Sequence, residues 1–127
     1  MNNNSRTITL LEQNIIPTTK TRLYLVLRQK GFQDQIIENI KEEVEKRLSK
    51  RMNDLIPKLE NIQFDDPVES LKYIILKEVI NILDELSKEK MIKLNEKDKE
   101  IIFNLMNKGD EKENETKFPK NEFKKGP

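Results

Sequence analysis

The spacing of the apolar residues constrains this chain more than any other feature, because they recur every three or four positions and not every second one. The clearest run is a ladder at strict i+4 intervals, formed by Ile36, Ile40, Val44 and Leu48. On a helix these side chains form one stripe, while charged residues occupy the other faces. The pattern predicts an all-α fold, a small bundle of about four to six helices in one domain.

Pro17 and Gly31 delimit the first two predicted helices. The first is short, at about 6–14, and we expect Pro17 to end it, because proline has no amide hydrogen and its ring clashes with the preceding turn. The second spans about 19–30 and is capped by one of the threonines at its start. Gly31 then occupies a position where a left-handed helix terminus favours a residue without Cβ.

The next two helices have their own boundary signals. The third starts near Asp34, and Pro57 is expected to break or kink it ahead of a short helical piece through Ile62. The strongest start signal in the chain is Asp66-Pro67-Val68-Glu69, which combines a capping residue, a proline at the first helical position and the spacing of a capping box. It predicts a helix at about 67–87.

The remaining residues define the predicted domain boundaries. A last helix at about 96–107 starts at Asn95. The helical domain then covers residues 6–108, after a flexible N-terminus at 1–5. Residues 109–127 are expected to form a disordered charged tail, because their few apolar side chains cannot offset the entropy of ordering them.

Composition removes most catalytic chemistry, since the chain contains no Cys and no His. Disulfides, thiol nucleophiles, thiolate or imidazole metal sites and histidine bases are all excluded. Carboxylates cluster at 42–45 and at 65–66, but no glycine-rich loop, nucleophile–base pair or calcium-loop pattern accompanies them. We interpret them as surface and capping groups. The sequence therefore predicts no enzyme activity and no catalytic, cofactor-binding or metal-binding residues.

Charge and hydropathy indicate where such a chain resides. The 24 basic and 23 acidic side chains leave a net charge of +1 and are interspersed, as on a solvated helical surface. No apolar run is long enough to span a bilayer. The N-terminus lacks the basic region and apolar run of a secretory signal. We expect an intracellular protein, nuclear or cytoplasmic, that is not secreted and has no membrane partner.

Two groups of basic residues suggest an alternative function, because both could contact phosphates. They lie on the third predicted helix and around the second, and comprise Lys46, Arg47, Lys50 and Arg51, and Lys20, Arg22, Arg28 and Lys30. Three glutamates precede the first group and weaken its field. A solvated face is the favoured interpretation, and a small nucleic-acid-binding helical protein stays open as an alternative.

Residues 22–48, which read RLYLVLRQKGFQDQIIENIKEEVEKRL, resemble a family of small helical adaptors known in animals as enhancer of yellow two. That family has a leucine-bearing helix, then Gly and an aromatic residue, then Asp-Gln and an apolar residue at the start of the next helix. The family's places are filled here by Leu23, Leu27, Gly31, Phe32, Asp34, Gln35 and Ile36. The aromatic residue is typically Trp in the family, and the segment after residue 90 has no counterpart.

The resemblance implies a non-catalytic adaptor shared by a transcription coactivator's deubiquitinating module and a nuclear-pore mRNA export complex. A second resemblance competes with it. The N-terminal dimerisation domains of centrosomal FOP-like proteins also have a leucine helix, a Gly and an apolar i+4 ladder, although their LisH signature is not evident here. It implies a homodimerising helical module of a centrosomal or ciliary assembly.

The function predicted from the sequence is a non-catalytic helical adaptor subunit that packs on a helix of a partner protein. The partner-binding residues are expected on apolar helix faces around Gly31 and on the fourth helix, where a helix apolar on several sides needs a covering surface. They are Leu23, Leu27, Phe32, Ile36, Ile40, Val44, Leu76 and Val79.

Overall fold

The structure, a computed structural model, describes the backbone of residues 3–107 and the side chains of residues 6–107. Within this part the chain is all-α and has no strand, which confirms the predicted fold class. The elements are α1 (Asn3–Leu10), a π-helical turn (Leu11–Ile15), α2 (Ile16–Gln29), α3 (Asp34–Leu59), α4 (Pro67–Lys88) and α5 (Glu96–Asn107). Helix α1 begins three residues before the expected domain start at residue 6, and the predicted tail at 109–127 lies outside the described residues.

The first two predicted helices are one continuous rod, so the prediction that Pro17 ends a helix is wrong. Leu10, Ile15 and Ile16 at the junctions all keep right-handed helical dihedrals. Pro17 has no amide hydrogen for the carbonyl four residues earlier, and its ring would crowd that carbonyl in an α-helix. The π-helical turn widens the backbone ladder just ahead of the proline and accommodates this conflict.

Pro57 does not separate two helices either, because α3 runs through it to Leu59. The proline lies in the last turn, so only one ladder hydrogen bond is lost, and Leu59 beyond it is buried in the core. The side-chain amide of Asn61 donates to the Pro57 carbonyl at 3.2 Å. The predicted short helical piece is therefore the end of α3 followed by a turn.

Side-chain caps mark the starts of α4 and α5 where the sequence predicted them. The carboxylate of Asp66 accepts a hydrogen bond from the backbone amide of Glu69 at 3.3 Å. A reciprocal capping box is formed at α5, where Asn95 accepts from the Asp98 amide at 2.7 Å and the Asp98 carboxylate accepts from the Asn95 amide at 3.2 Å. Both helices thus satisfy part of their unpaired first turn.

Helices α2 and α4 end in the same Schellman geometry. After α2, the Gly31 amide donates to the Arg28 carbonyl and the Phe32 amide to the Leu27 carbonyl, at 3.0 and 3.2 Å. Gly31 has φ 95°, as predicted, and Lys90 takes the same position after α4 with φ 66°. The left-handed residue after α4 is therefore one with a Cβ, which is the less favourable choice.

The core lies where the other three helical rods meet on α4, which packs against the π-helical turn, α2, α3 and α5. Six side chains of α4 are at most 1% exposed, namely Leu71, Ile75, Val79, Ile82, Leu83 and Leu86. The α3 ladder faces them through Ile40, Val44 and Leu48. Within residues 3–107, no helix is long and apolar enough to cross a membrane.

The two Schellman turns give a matched pair of stability tests. Gly31→Ala should destabilise the chain by about 1–2 kcal/mol, because a Cβ there is disfavoured by φ alone; no atom lies within 4 Å of its position. Lys90→Gly should stabilise it by about 0.5–1 kcal/mol, since relief of the left-handed strain exceeds the entropy cost of glycine. Thermal unfolding followed by circular dichroism measures both, and equal signs would contradict the assigned turns.

Tyr24 on α2 carries a polar group that the fold leaves unpaired. Its hydroxyl is buried and has no hydrogen-bond partner among the described residues. Burial, together with the charges of Glu45 and Glu38, raises the pKa of this phenol above its ordinary range. The Lys41 ammonium lies 5.6 Å from the centre of the ring. The ring of Tyr24 thus packs against α3, and its hydroxyl is left without a hydrogen bond.

Tyr24→Phe should leave stability unchanged or raise it by up to about 1 kcal/mol, because it removes a buried group that has no partner and keeps the ring. Tyr73→Phe is the control, since this second tyrosine is half exposed. Denaturant unfolding of the two variants and the parent chain measures the difference. A clear loss of stability in Tyr24→Phe alone would mean that its hydroxyl has a partner.

Candidate functional site

The eight residues predicted to bind a partner lie inside the chain. Six are at most 5% exposed, and the other two, Phe32 and Ile36, are partly buried and pack against the core. The six are Leu23, Leu27, Ile40, Val44, Leu76 and Val79. The expected open strip is thus part of the core, because the stripes of α2, α3 and α4 cover one another. A partner could reach these six side chains only if the bundle opened.

An exposed apolar surface exists elsewhere, beside the first helix. A groove of about 470 Å³, here called the α1 groove, is lined by side chains of α1, of the segment that joins α3 to α4 and of the first turn of α4. Those used below are Arg6, Leu10, Ile62, Phe64, Pro67 and Val68. Ile62 is 49% and Val68 43% exposed.

The α1 groove arises from how the chain leaves α3 and enters α4. Residues 60–66 return the chain without forming a helix, and Phe64 anchors them because it is partly buried against the core. Ile62 and Val68 flank this anchor and are left exposed. Leu10 of α1 supplies the opposite wall. Large apolar side chains gathered in one concavity are typical of a site that receives apolar side chains of another molecule.

Sequence reasoning missed this groove because it placed the partner-binding residues on apolar helix faces, whereas Val68 belonged to a helix-start signal. Val68 lies in the first turn, ahead of the point where the helix enters the core at Leu71. A usable signal was present in Ile62 and Phe64, which are apolar yet belong to a segment between two helices. Such residues do not follow a helical stripe and therefore need a covering surface of another kind.

The predicted basic group on α3 is largely occupied by ion pairs with α4. Arg47 donates to both carboxylate oxygens of Glu89, at 2.7 and 2.9 Å, and to Glu43 at 3.0 Å. Arg51 pairs with Glu85 and lies 3.3 Å from Glu78. The hydrogen bond from Arg47 lowers the pKa of Glu89. These guanidinium groups hold the antiparallel register of α3 and α4 and are not free to bind phosphate.

The second basic group is similarly matched by acidic residues. Charged atoms lie 3.5–4.0 Å apart in the pairs Lys20–Glu45, Arg28–Asp34 and Lys30–Asp98. Lys46 of the first group also lies 3.6 Å from Glu43. The mixed charges predicted from the sequence are therefore arranged as local pairs, which weakens the case for a nucleic-acid interface.

Lys99 is the one charged residue among the described side chains that the fold buries, at 7% exposure. Its ammonium donates to Asp84 on α4 and, at 2.7 Å, to Glu96 one turn earlier on α5. The hydrogen bond to Asp84 raises the pKa of Lys99, and the same bond, with Lys88, lowers the pKa of Asp84. A lysine held in its charged form cannot act as a nucleophile or base, so this cluster is an electrostatic link between α4 and α5.

Three of the five acidic groups weighed as catalytic candidates have structural partners. Glu43 and Glu45 pair with cations, and Asp66 caps α4. Among residues 6–107, no group of three or more acidic side chains is placed to hold a metal ion. The α1 groove is consequently the candidate site, and its chemistry is that of apolar association.

Comparison of the chain with protein-family models, with curated proteins and with solved structures finds no match. The family resemblance of residues 22–48 therefore stays a prediction.

Asp84→Asn should lower the melting temperature at neutral pH, because it leaves the buried Lys99 ammonium without its strongest acceptor. The pKa of Asp84 is lowered in the fold, so its contribution is fully present above about pH 5 and is lost as the pH falls through the folded value. The gap between parent and variant should thus narrow on acidification. Melts at a series of pH values test this, with Asp54→Asn, an exposed aspartate on α3, as the control. A gap that stays constant to low pH would contradict the link.

Proposed function

We propose that this chain is a non-catalytic helical adaptor that binds a helix of a partner protein through the α1 groove. The observation that supports it is the pairing of Ile62 and Val68, both more than two-fifths exposed, in one concave apolar site. Both side chains are already about half buried, so covering the rest against apolar partners contributes about 0.7–1.5 kcal/mol each. Arg6 at the rim favours a partner with an acidic residue beside its apolar anchors.

The kind of assembly rests on the resemblance of residues 22–48 alone. It would be a transcription coactivator or an mRNA export complex, and the chain would then act in the nucleus. The alternatives from the sequence are a homodimerising module and a nucleic-acid-binding protein. The ion pairs of Arg47 and Arg51 speak against the latter, since these groups already have carboxylate partners.

The test uses charges introduced into the α1 groove. Ile62→Asp changes a residue outside any helix, and Val68→Asp places a negative charge in the first turn of α4, where the helix dipole favours it. Both changes should therefore leave helicity intact while they disfavour apolar association. Leu25→Asp is the matched control, since Leu25 is 54% exposed and does not line this groove.

Tagged chains purified from the native cell should retain the same partners in the parent and in Leu25→Asp, and lose them in Ile62→Asp and Val68→Asp. Circular dichroism must show equal helicity in all four. An unchanged set of partners in the two groove variants would contradict the proposal. Light scattering on the pure protein identifies the homodimer alternative, which predicts a mass near twice 15.1 kDa.

A further inference from the structure

A second groove lies on another side of the bundle, where the π-helical turn and α2 face α4 and the end of α5. It encloses about 550 Å³ and is called the α5 groove here. Its apolar lining comes from Ile15, Leu76 and Met106, each at most 5% exposed. It shares no residue with the α1 groove.

The rim of the α5 groove is cationic and aromatic. Arg22 of α2 and Lys72 of α4 are both partly buried and line it, together with the carboxylate of Glu69, which lies 3.7 Å from the Lys72 ammonium. Tyr73 is 50% exposed at the rim and is held edge-to-face against Phe103, with ring centres 6.2 Å apart. A ligand suited to this site carries acidic groups and an aromatic side chain.

The sequence that follows α5 has this chemistry. Asn107, the last described residue, lines the α5 groove, and the chain continues from it. Residues 110–115 contain four acidic side chains and one lysine, and Phe118-Pro119 follows two residues later. At about 3.3–3.6 Å per extended residue, this stretch is long enough to lie along the groove and return to its floor.

We propose that segment 110–118 of this chain binds in its own α5 groove, with its carboxylates against Arg22 and Lys72 and with Phe118 beside Tyr73. The attachment at Asn107 gives the segment a high effective concentration, which favours it over a free peptide of the same composition. A segment too charged to form a core can still occupy such a site, because the bundle already holds the exposed ring of Tyr73 and the cations of the rim in place. This inference goes beyond the proposed adaptor function and does not depend on it.

The attraction between the segment and the rim is partly electrostatic and solvent-exposed, so salt weakens this docking.

The absence of cysteine allows a direct test on the full chain. A nitroxide spin label attached to the single cysteine of Thr116→Cys should broaden the amide signals of residues that line the α5 groove, such as Thr18 and Tyr73. The amides of Lys50 and Asn53 on α3, which do not line it, should keep their intensity. Broadening should decrease as ionic strength rises.

A charge exchange supplies the matched control. Arg22→Glu with Lys72→Glu should abolish the selective broadening, and replacing the four acidic residues of 110–115 by Lys in the same chain should restore it. Ile62→Asp, in the α1 groove, should leave the broadening unchanged, so this proposal and the adaptor proposal can fail separately.

Two results would overturn the inference. One is broadening that is absent or equally weak over the whole bundle. The other is selective broadening in a mixture of spin-labelled chains and isotope-labelled chains that carry no spin label. It would mean that the α5 groove binds the segment of a second copy.

Discussion

The burial of α4 is the interaction on which the rest of the molecule depends. Every other helical rod packs against this helix, and six of its apolar side chains are almost completely removed from solvent. Each contributes about 1.5–3 kcal/mol on burial. The chain has no cysteine with which to form a disulfide, so this packing has no covalent support. Ion pairs at Arg47 and Lys99 join α4 to its neighbours and fix orientation more than they add stability.

Local signals predicted most of the fold because their causes are local. Asp66 caps α4 through an amide three residues away, and Gly31 has the positive φ that its place after a helix requires. The helix ends expected at Pro17 and Pro57 are absent for one shared reason: a proline penalises a helix by a limited amount, and burial of Leu11, Ile15 or Leu59 nearby outweighs it. Tertiary packing, which a local pattern does not report, decided both positions.

The candidate site was harder to predict, because an apolar stripe does not reveal what covers it. Val44 and Leu23 have the pattern of a binding face and of a core alike, and only the arrangement of the helices distinguishes them. The α3–α4 ion pairs were hard to predict for the same reason. The sequence shows that Arg47 and Arg51 lie one turn apart on α3, but their partners on α4 follow only from the antiparallel register of the two helices. Ile62 is a weaker signal because it is a single apolar residue. It is more useful for locating a surface site, because it belongs to no apolar helix stripe.

The π-helical turn at Leu11–Ile15 has a consequence for the shape of the surface. A π turn is equivalent to one extra residue in an α-helix, and one residue corresponds to a rotation of about 100° around the axis. The face that α1 presents is therefore rotated relative to α2 by this single residue. Deleting one residue from the turn would rotate Arg6 and Leu10 away from Ile62 and Val68. The α1 groove would then be lost although none of its lining residues had been substituted. The shape of the α1 groove therefore depends on the rotation of α1 relative to α2 within one continuous helix.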